Sequence, residues 1–301
     1  PQQVKVPASV ANIGPGFDSL ALALDLRDVY VAQILDDEVF DIDVTGEGAD
    51  DVARDKKNLV IKAMYQGFEY FGGKPAGIAL RQLNEIPHGR GFGSSAAAIV
   101  GGLALARSLV LNGNQLMDDH DLLALATDIE GHPDNVAAAI FGGATISWVE
   151  LRMAVATGAA VNFPVAKEIS ALVLIPEQML STSKARKVLP ENISFADAAF
   201  NISRSSLLVH ALKERPDLLF PATEDKLHQN HRREFMPASM ALVDKLRGAG
   251  VAATISGAGP TVLVLHTGDS HEREEIIKAA GTQFSPRDIE IATTGVESSS
   301  I

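Results

Sequence analysis

One glycine-rich segment of the sequence has the composition and spacing to bind a polyphosphate. Its residues are Pro87, His88, Gly89, Arg90, Gly91, Phe92, Gly93, Ser94, Ser95, Ala96 and Ala97. Glycines let the backbone approach a ligand closely, and the helix start that follows presents unpaired N–H groups at the positive end of its dipole. Together these features favour an anion site, although a turn with a serine helix cap is the simpler interpretation of an isolated Gly-x-Gly.

Two common phosphate motifs do not match this segment. It lacks the Gly-x4-Gly-Lys-Ser/Thr spacing of a P-loop, and its glycines do not follow the Gly-x-Gly-x-x-Gly pattern of a dinucleotide site. The hydroxyl groups of Ser94 and Ser95 could cap the helix, coordinate Mg²⁺, or do both. The segment therefore indicates a phosphate site of another kind.

The elements around the segment predict an α+β fold rather than a regular βαβ series. Hydrophobic patterns favour strands over 4–6, 29–34, 39–44, 78–81, 144–149, 170–176 and 289–292, and a hairpin within 252–266. Helices are expected over 20–26, 59–70, 96–111, 121–130, 183–188, 194–212, 238–247 and 272–280. Asn58 stands at the N-cap of the helix over 59–70. The stretches 29–34 and 39–44 are interpreted as antiparallel strands, and a domain boundary is placed near residue 155.

Composition excludes several classes of protein. The 301 residues are 46% hydrophobic and 21% charged, which is typical of one or two globular domains. The chain has no cysteine, so disulfides and thiolate chemistry are excluded. The net charge of −12 disfavours binding to nucleic acid. No secretory signal or bilayer-spanning run is visible, so neither nucleic acid nor membrane is an expected partner and a cytoplasmic location is predicted.

Three segments in order resemble the motifs of the GHMP small-molecule kinases. The glycine-rich segment resembles the family's Pro-x3-Gly-Leu-Gly-Ser-Ser-Ala-Ala motif, with Phe92 in the place of leucine. Residues 255–261 resemble the carboxy-terminal glycine motif, and residues 7–18 resemble the first motif in the form that homoserine kinases carry. The resemblance implies ATP as phosphoryl donor. It also implies an N-terminal ribosomal-protein-S5-like domain over 1–155 and a C-terminal ferredoxin-like α/β domain over 156–301.

The side-chain charges suit an amino-acid alcohol. Homoserine needs an anion for its ammonium group and cations for its carboxylate, whereas mevalonate needs only cations and galactose needs neither. Asp18 and Asn12 match positions that contact the amino acid in homoserine kinases. Arg186, in a segment similar to Thr-x2-Ala-Arg-x2-Leu-Pro, and Arg232 carry over by resemblance as carboxylate ligands. An isolated Asp or Asn could equally bond its own loop, and an isolated Arg could be a surface charge.

The resemblance also suggests how the transfer is assisted. Glu130, in a Glu-Gly-His-Pro-Asp-Asn segment, and Ser95 are expected to hold Mg²⁺. Asn135 occupies the position where several related kinases have an Asp base, so it is expected to orient the hydroxyl while Arg186 stabilises developing charge. Asp134 is the alternative base. Asn58 resembles a residue of the nucleotide edge, and His228 and His231 are interpreted as a helix surface rather than a metal site.

The sequence therefore predicts an ATP-dependent kinase that phosphorylates the side-chain hydroxyl of L-homoserine, as in threonine synthesis. Two alternatives stay open: another GHMP kinase acting on a different small alcohol, and a non-catalytic metabolite sensor on the same fold. A homodimer is one assembly that the sequence allows.

Overall fold

The computed structural model describes residues 1–152, 155–268 and 270–301. The strands are β1 (Gln2–Ala11), β2 (Leu20–Leu35), β3 (Phe40–Gly46), β4 (Gly77–Asn84), β5 (Ala144–Arg152), β6 (Val155–Phe163), β7 (Ser170–Pro176), β8 (Ala253–Ile255), β9 (Val262–His266), β10 (Phe284–Ile289) and β11 (Glu297–Ser300). The α-helices are α1 (Leu59–Tyr70), α2 (Ser94–Leu109), α3 (Gly113–Leu116), α4 (Asp119–Glu130), α5 (Asp134–Phe141), α6 (Thr182–Arg186), α7 (Phe195–Lys213), α8 (Leu219–Ala222), α9 (Pro237–Gly248) and α10 (Ser270–Ala280). The α+β class is confirmed.

The first sheet is mixed and contains both ends of the chain. Strand β1 pairs with β2 and with β11, β2 pairs with β4, and β3 lies parallel to β4. Strand β5 pairs with β2 and β6. The prediction that the stretches 29–34 and 39–44 are neighbouring antiparallel strands is wrong, because β4 lies between them.

Strand β2 corrects the predicted helix over 20–26. Alternate residues of this stretch face opposite sides: Leu20, Leu22 and Leu24 lie in the main core, and Ala21 and Ala23 in a small alanine cluster. Because both faces are covered, the strand has a continuous apolar run that resembles a buried helix.

Helix α2 packs against β1, α1 and α4 in the interior of the first sheet's helical layer. A Cβ atom on Gly101 would overlap the ring of Tyr30, and one on Gly102 would overlap the backbone of Val60 in α1. The two glycines therefore allow α2 to approach strand β2 and helix α1 closely, which fixes the position of its N-terminus.

The second sheet is antiparallel in the order β10-β7-β9-β8. One face, which includes Leu172 and Val264, packs on α9 and α10, and the other, which includes Val173 and Leu265, joins the main core together with α7. Across the described residues, no helix is both long and apolar enough to cross a bilayer. The predicted boundary between residues 155 and 156 stays a prediction.

The three glycine-containing motifs meet where the two sheets adjoin. The amide of Ser9 donates to the carbonyl of Phe92 at 3.0 Å, and that of Gly257 donates to the carbonyl of Ala11 at 2.9 Å. The hydroxyl of Ser256 donates to the carbonyl of Gly91 at 2.6 Å. The loop before α2 is thus hydrogen-bonded to both the first and the third motif.

Gly91 tests this packing. It has φ of +82°, and a Cβ atom there would overlap the carbonyl oxygen of Ser256. Gly72 has φ of +78° but open space around it. We expect Gly72→Ala to lower the free energy of unfolding by about 1–2 kcal/mol, which is the cost of a left-handed residue with a side chain. Gly91→Ala should lower the free energy of unfolding, measured by urea denaturation, clearly more than Gly72→Ala does. Equal decreases in the two variants would contradict the close packing.

Candidate active site

The glycine-rich loop leaves the start of α2 open to a ligand. Gly89, Gly91 and Gly93 have φ values of +63°, +82° and +68°. Gly93 stands at the N-cap of α2, and in the described part of the chain no side-chain hydrogen bond caps the helix. A Cβ atom on Gly93 would overlap the hydroxyl of Ser9. The amides at this helix end therefore need an acceptor from outside the chain, as a phosphate group would supply.

The other residues of this segment contribute through the backbone or support the loop. Pro87, Phe92, Ala96 and Ala97 are buried, and the Phe92 side chain belongs to the main core. The guanidinium of Arg90 donates to the carbonyls of His88, Pro176 and Glu177 at 3.2–3.4 Å. Arg90 therefore ties the loop to the end of β7, and its charge is not directed to phosphate by these contacts.

The two predicted metal ligands touch each other beside the loop. The hydroxyl of Ser95 donates to Oε2 of Glu130 at 2.8 Å. Burial raises the pKa of the Glu130 carboxyl above its ordinary value, and the hydrogen bond from Ser95 opposes part of this rise. A hydroxyl and a carboxylate at a helix N-terminus are oxygen donors that suit Mg²⁺, whose remaining ligands would come from phosphate and water.

Asn135 lies against the same loop. Its Oδ1 atom accepts a hydrogen bond of 2.9 Å from the hydroxyl of Ser9. Among the described residues, no protein acceptor is hydrogen-bonded to its Nδ2 group, which leaves that group as a donor at the cleft. Ser9 belongs to the first motif but was not assigned a role from the sequence, because a hydroxyl beside a strand carries no distinctive signal.

Asp134 and His132 form a pair behind Asn135. Oδ1 of Asp134 lies 2.6 Å from Nδ1 of His132 and accepts the amide of Asn135 at 2.8 Å. Burial alone lowers the pKa of the His132 imidazole, but the hydrogen bond and charge of Asp134 outweigh it and raise the pKa. His132 lines the cleft, whereas the side chain of Asp134 is buried beneath it. His132 was assigned no role from the sequence, and its contact with Asp134 is evident only from the structure.

The predicted substrate ligands of opposite charge form an ion pair. Arg186 donates from Nη1 to Oδ2 of Asp18 at 2.9 Å and from Nη2 to Oδ1 at 2.5 Å. Burial lowers the pKa of Arg186, but pairing with Asp18 outweighs this and raises it. Oδ1 of Asn12 accepts the amide of Asp18 at 2.9 Å, and both residues have positive φ. Asn12 thus holds the loop that presents Asp18.

Arg232 completes the charged end of the cleft. Its side chain is buried, and burial together with the positive charge of Arg186 lowers its pKa to about 10. The guanidinium groups of Arg186 and Arg232 lie 5.5 Å and 5.6 Å from the ring centre of Phe17. Both cations therefore lie within reach of the electron-rich face of Phe17, which stabilises them by cation–π attraction, a contact the sequence did not reveal.

Two adjoining cavities lie on either side of the loop. One, of about 80 Å³, is lined by Asn12, Ser95, Glu130, His132, Asn135, Arg186 and Arg232. The other, of about 380 Å³, is lined in part by His88, Ser94, Ser95 and Asn58, and its volume is in the range of small-molecule sites. A larger cleft near Arg273 shares no lining residue with the first cavity.

Asn58 borders the 380 Å³ cavity, but its amide is committed to the protein. Oδ1 accepts the amides of Val60 and Ile61, as predicted for an N-cap, and Nδ2 donates to Gln82 and Ala53 at 2.8 Å. A direct contact with a nucleotide stays a prediction, and these bonds support the capping role.

The fold and site define a small-molecule kinase of the GHMP class. Residues 58–143 match the family model for the GHMP kinases N terminal domain, and residues 206–285 match that for the GHMP kinases C terminal domain. The chain is 46% identical to a homoserine kinase of Streptomyces coelicolor, covering 94% of this chain and 89% of the relative. It is 47% identical to a homoserine kinase of Cutibacterium acnes, with 93% of each covered.

A solved structure agrees with these relatives. The crystal structure of homoserine kinase from Cytophaga hutchinsonii is 26% identical, with a TM-score of 0.83, and covers 98% of this chain and 96% of that one. The chain belongs to the homoserine kinases within the GHMP kinase family.

Substitution of Glu130 should change thermal stability and the Mg²⁺ dependence of turnover in opposite directions. A neutral amide removes the cost of a buried charge, so Glu130→Gln should melt at a higher temperature than the parent at pH 7. Because the pKa of Glu130 is raised, this gain should fall as pH drops through that pKa and vanish below the ordinary value of 4.5. The Mg²⁺ concentration needed for half-maximal turnover should rise at least tenfold. The exposed Glu85→Gln serves as control, and an unchanged Mg²⁺ response in Glu130→Gln would contradict the assignment.

Proposed function

We propose that this chain transfers the γ-phosphoryl group of ATP to the side-chain hydroxyl of L-homoserine. The observation that carries the proposal is the pair of opposite charges, Asp18 and Arg186, of which Arg186 lines the same cleft as the open end of α2. GHMP kinases use ATP, and the relatives named above are homoserine kinases. The product, O-phosphohomoserine, is the intermediate expected in threonine synthesis.

The glycine-rich loop and the start of α2, which form the phosphate end of the site, are suited to bind ATP. The open amides at the start of α2 bind the phosphates, and the 380 Å³ cavity that shares Ser94 and Ser95 accommodates the nucleoside. Ser95 and Glu130 would hold Mg²⁺, which supplies charge neutralisation of the β- and γ-phosphates when bound. The side chain of Ser95 lies at the boundary of both cavities, so the γ-phosphate faces the substrate side.

The charged end accounts for a zwitterionic substrate. In the free protein Asp18 and Arg186 neutralise each other, and each is about one-third exposed. When homoserine binds, the Asp18–Arg186 ion pair is replaced by contacts with the substrate. The ammonium group binds Asp18, and the carboxylate binds Arg186 and Arg232. A ligand with a single charge satisfies only one partner and leaves the other unpaired in a half-buried site, which is costly.

The part of the site around Asn135 allows phosphoryl transfer to the substrate hydroxyl without a side-chain base. Asn135 donates from Nδ2 to the hydroxyl oxygen, because its Oδ1 is held by Ser9, and this directs a lone pair toward phosphorus. The new O–P bond forms as the bond to the β-phosphate bridge breaks, and the hydroxyl proton passes to an oxygen of the transferred phosphoryl group. Arg186 stabilises the developing charge. Asp134 is a poor candidate base because its side chain is buried behind the cleft wall.

A substrate series tests the proposal. ADP release should be fastest with L-homoserine and at least 100-fold lower in kcat/KM with 4-hydroxybutanoate or 3-aminopropan-1-ol, each of which lacks one charge. This factor corresponds to about 2.7 kcal/mol for one unpaired charge-assisted bond. Turnover of mevalonate or galactose but not of homoserine would contradict the substrate. Binding of ATP without turnover of any of these alcohols would support a sensor instead.

Asn135→Asp tests the absence of a base. If the parent enzyme works without one, a carboxylate in this place should introduce a new ionisation into the pH profile of kcat, because Asp can accept the hydroxyl proton and Asn cannot. Asp134→Asn is the control for the neighbouring carboxylate, and its kcat should change by less than tenfold. A profile of Asn135→Asp that is parallel to that of the parent would contradict the assigned role.

A further inference from the structure

His228 is a buried histidine at the wall of the site, with no assigned role. Its side chain is fully buried, whereas His231 is exposed. The prediction that both form a helix surface is therefore wrong for His228. The ring of His228 stacks on Phe17 with 5.4 Å between ring centres, so it lies directly behind the ring that contacts both substrate arginines.

The hydrogen bonds of His228 define its protonation. Nε2 lies 2.8 Å from the carbonyl oxygen of Gly14 and therefore carries the proton. Nδ1 lies 3.1 Å from Nη1 of Arg232 and must accept, because a guanidinium can only donate. The ring is thus the neutral Nε2–H tautomer, and both of its nitrogens are used.

The same contacts restrain Arg232. Its Nε donates to the carbonyl of Ala185 at 3.2 Å, and Nη1 also reaches the carbonyl of Gly257 at 3.3 Å. Among the described residues, no protein acceptor is hydrogen-bonded to Nη2. The three fixed contacts leave this one edge of the guanidinium for a ligand, and Arg232 lines the cleft.

His228 also belongs to a buried chain of contacts that reaches the first motif. Gly14 lies between Asn12 and Asp18, and its amide donates to the hydroxyl of Thr254 at 3.1 Å. That hydroxyl in turn donates to Gln229, the neighbour of His228, at 3.0 Å. The segment that carries His228 is therefore bonded to both sides of Gly14.

We propose that His228 is a positioning residue, which orients the Arg232 guanidinium toward the substrate carboxylate and connects it to the loop that presents Asp18. This inference rests on the proposed function. His228 itself does not touch the substrate. It sets the distance between the cation and the anion that receive the carboxylate and the ammonium group of the substrate.

Two substitutions separate the two hydrogen bonds. In His228→Asn the amide oxygen occupies the place of Nδ1 and can accept from Arg232, but the contact with Gly14 is lost. In His228→Gln the amide nitrogen occupies the place of Nε2 and keeps the contact with Gly14, but the acceptor for Arg232 is lost. His231→Asn changes an exposed histidine in the same segment and is the matched control.

Steady-state kinetics with the full chain, homoserine and ATP test the proposal. We expect His228→Gln to raise the KM for homoserine about tenfold or more, as for loss of a hydrogen bond to a charged group, while the KM for ATP stays within twofold. The KM for homoserine of His228→Asn should be at least threefold lower than that of His228→Gln. Equal KM values for homoserine in both variants and the parent would overturn the proposal. Absence of homoserine turnover in the parent and in His231→Asn would instead contradict the proposed function.

A second measurement decides the matter if the variants do not fold. In the ¹⁵N-labelled parent, long-range ¹H–¹⁵N spectra should show His228 with a protonated Nε2 and an unprotonated Nδ1, and homoserine binding should shift the Nδ1 resonance. An Nδ1–H tautomer, an imidazolium at neutral pH, or an Nδ1 resonance that does not respond to saturating homoserine would overturn the proposal.

Discussion

The site depends on the close approach of three backbone segments around Gly91. The hydroxyl of Ser256 donates to the carbonyl of Gly91, and the amides of Ser9 and Gly257 join the first motif to the other two. No side chain fits at Gly91 without displacing the backbone of the third motif. This contact places the open end of α2, the proposed phosphate end, beside Asp18 and Arg232, the proposed substrate end. In the proposed function, backbone contacts rather than flexible side chains fix the distance between the two ends.

A second constraint is electrostatic. Two arginines face one cleft, and their mutual repulsion contributes to the lowered pKa of Arg232. Asp18 neutralises Arg186 directly, and Phe17 lies against both guanidinium groups. In the proposed function, a zwitterion can replace this ion pair without leaving Asp18 or Arg186 unpaired. Selection of the substrate and stability of the empty site follow from the same contacts.

Several features were predictable from the sequence because they follow local rules. Helix α1 begins after Asn58, whose amide caps it as the pattern predicts, and glycines at 89, 91 and 93 have the left-handed conformation that favours glycine. Strand β2 was mistaken for a helix over residues 20–26 because both of its faces are buried, which removes the alternation that marks a strand. The pairing of β3 with β4 instead of β2 depends on long-range topology, which no local pattern reports.

The candidate site was predictable in its residue types but not in its internal contacts. Asp18 was assigned to the ammonium group of the substrate and Arg186 to its carboxylate, and the structure shows that these two residues bind each other when no substrate is present. The roles of Phe17 and His228 depend on packing between segments that are far apart along the chain, such as Gly14 and His228 or Phe17 and Arg186, and neither residue type indicates a ligand contact by itself.

In the proposed function, substrate binding exchanges the Asp18–Arg186 ion pair for contacts with the two charges of the substrate. The most direct test compares Arg186→Ala with the parent on two alcohols, L-homoserine and 3-aminopropan-1-ol, which lacks the carboxylate. We predict that kcat/KM for homoserine falls about 100-fold or more, which corresponds to about 2.7 kcal/mol for loss of the charge-assisted hydrogen bonds to the carboxylate. The value for the amino alcohol should fall at least tenfold less, because this substrate has no carboxylate contact to lose and only the stabilisation of developing charge by Arg186 is removed. Equal losses on both alcohols would show that Arg186 does not bind the carboxylate and would contradict the account.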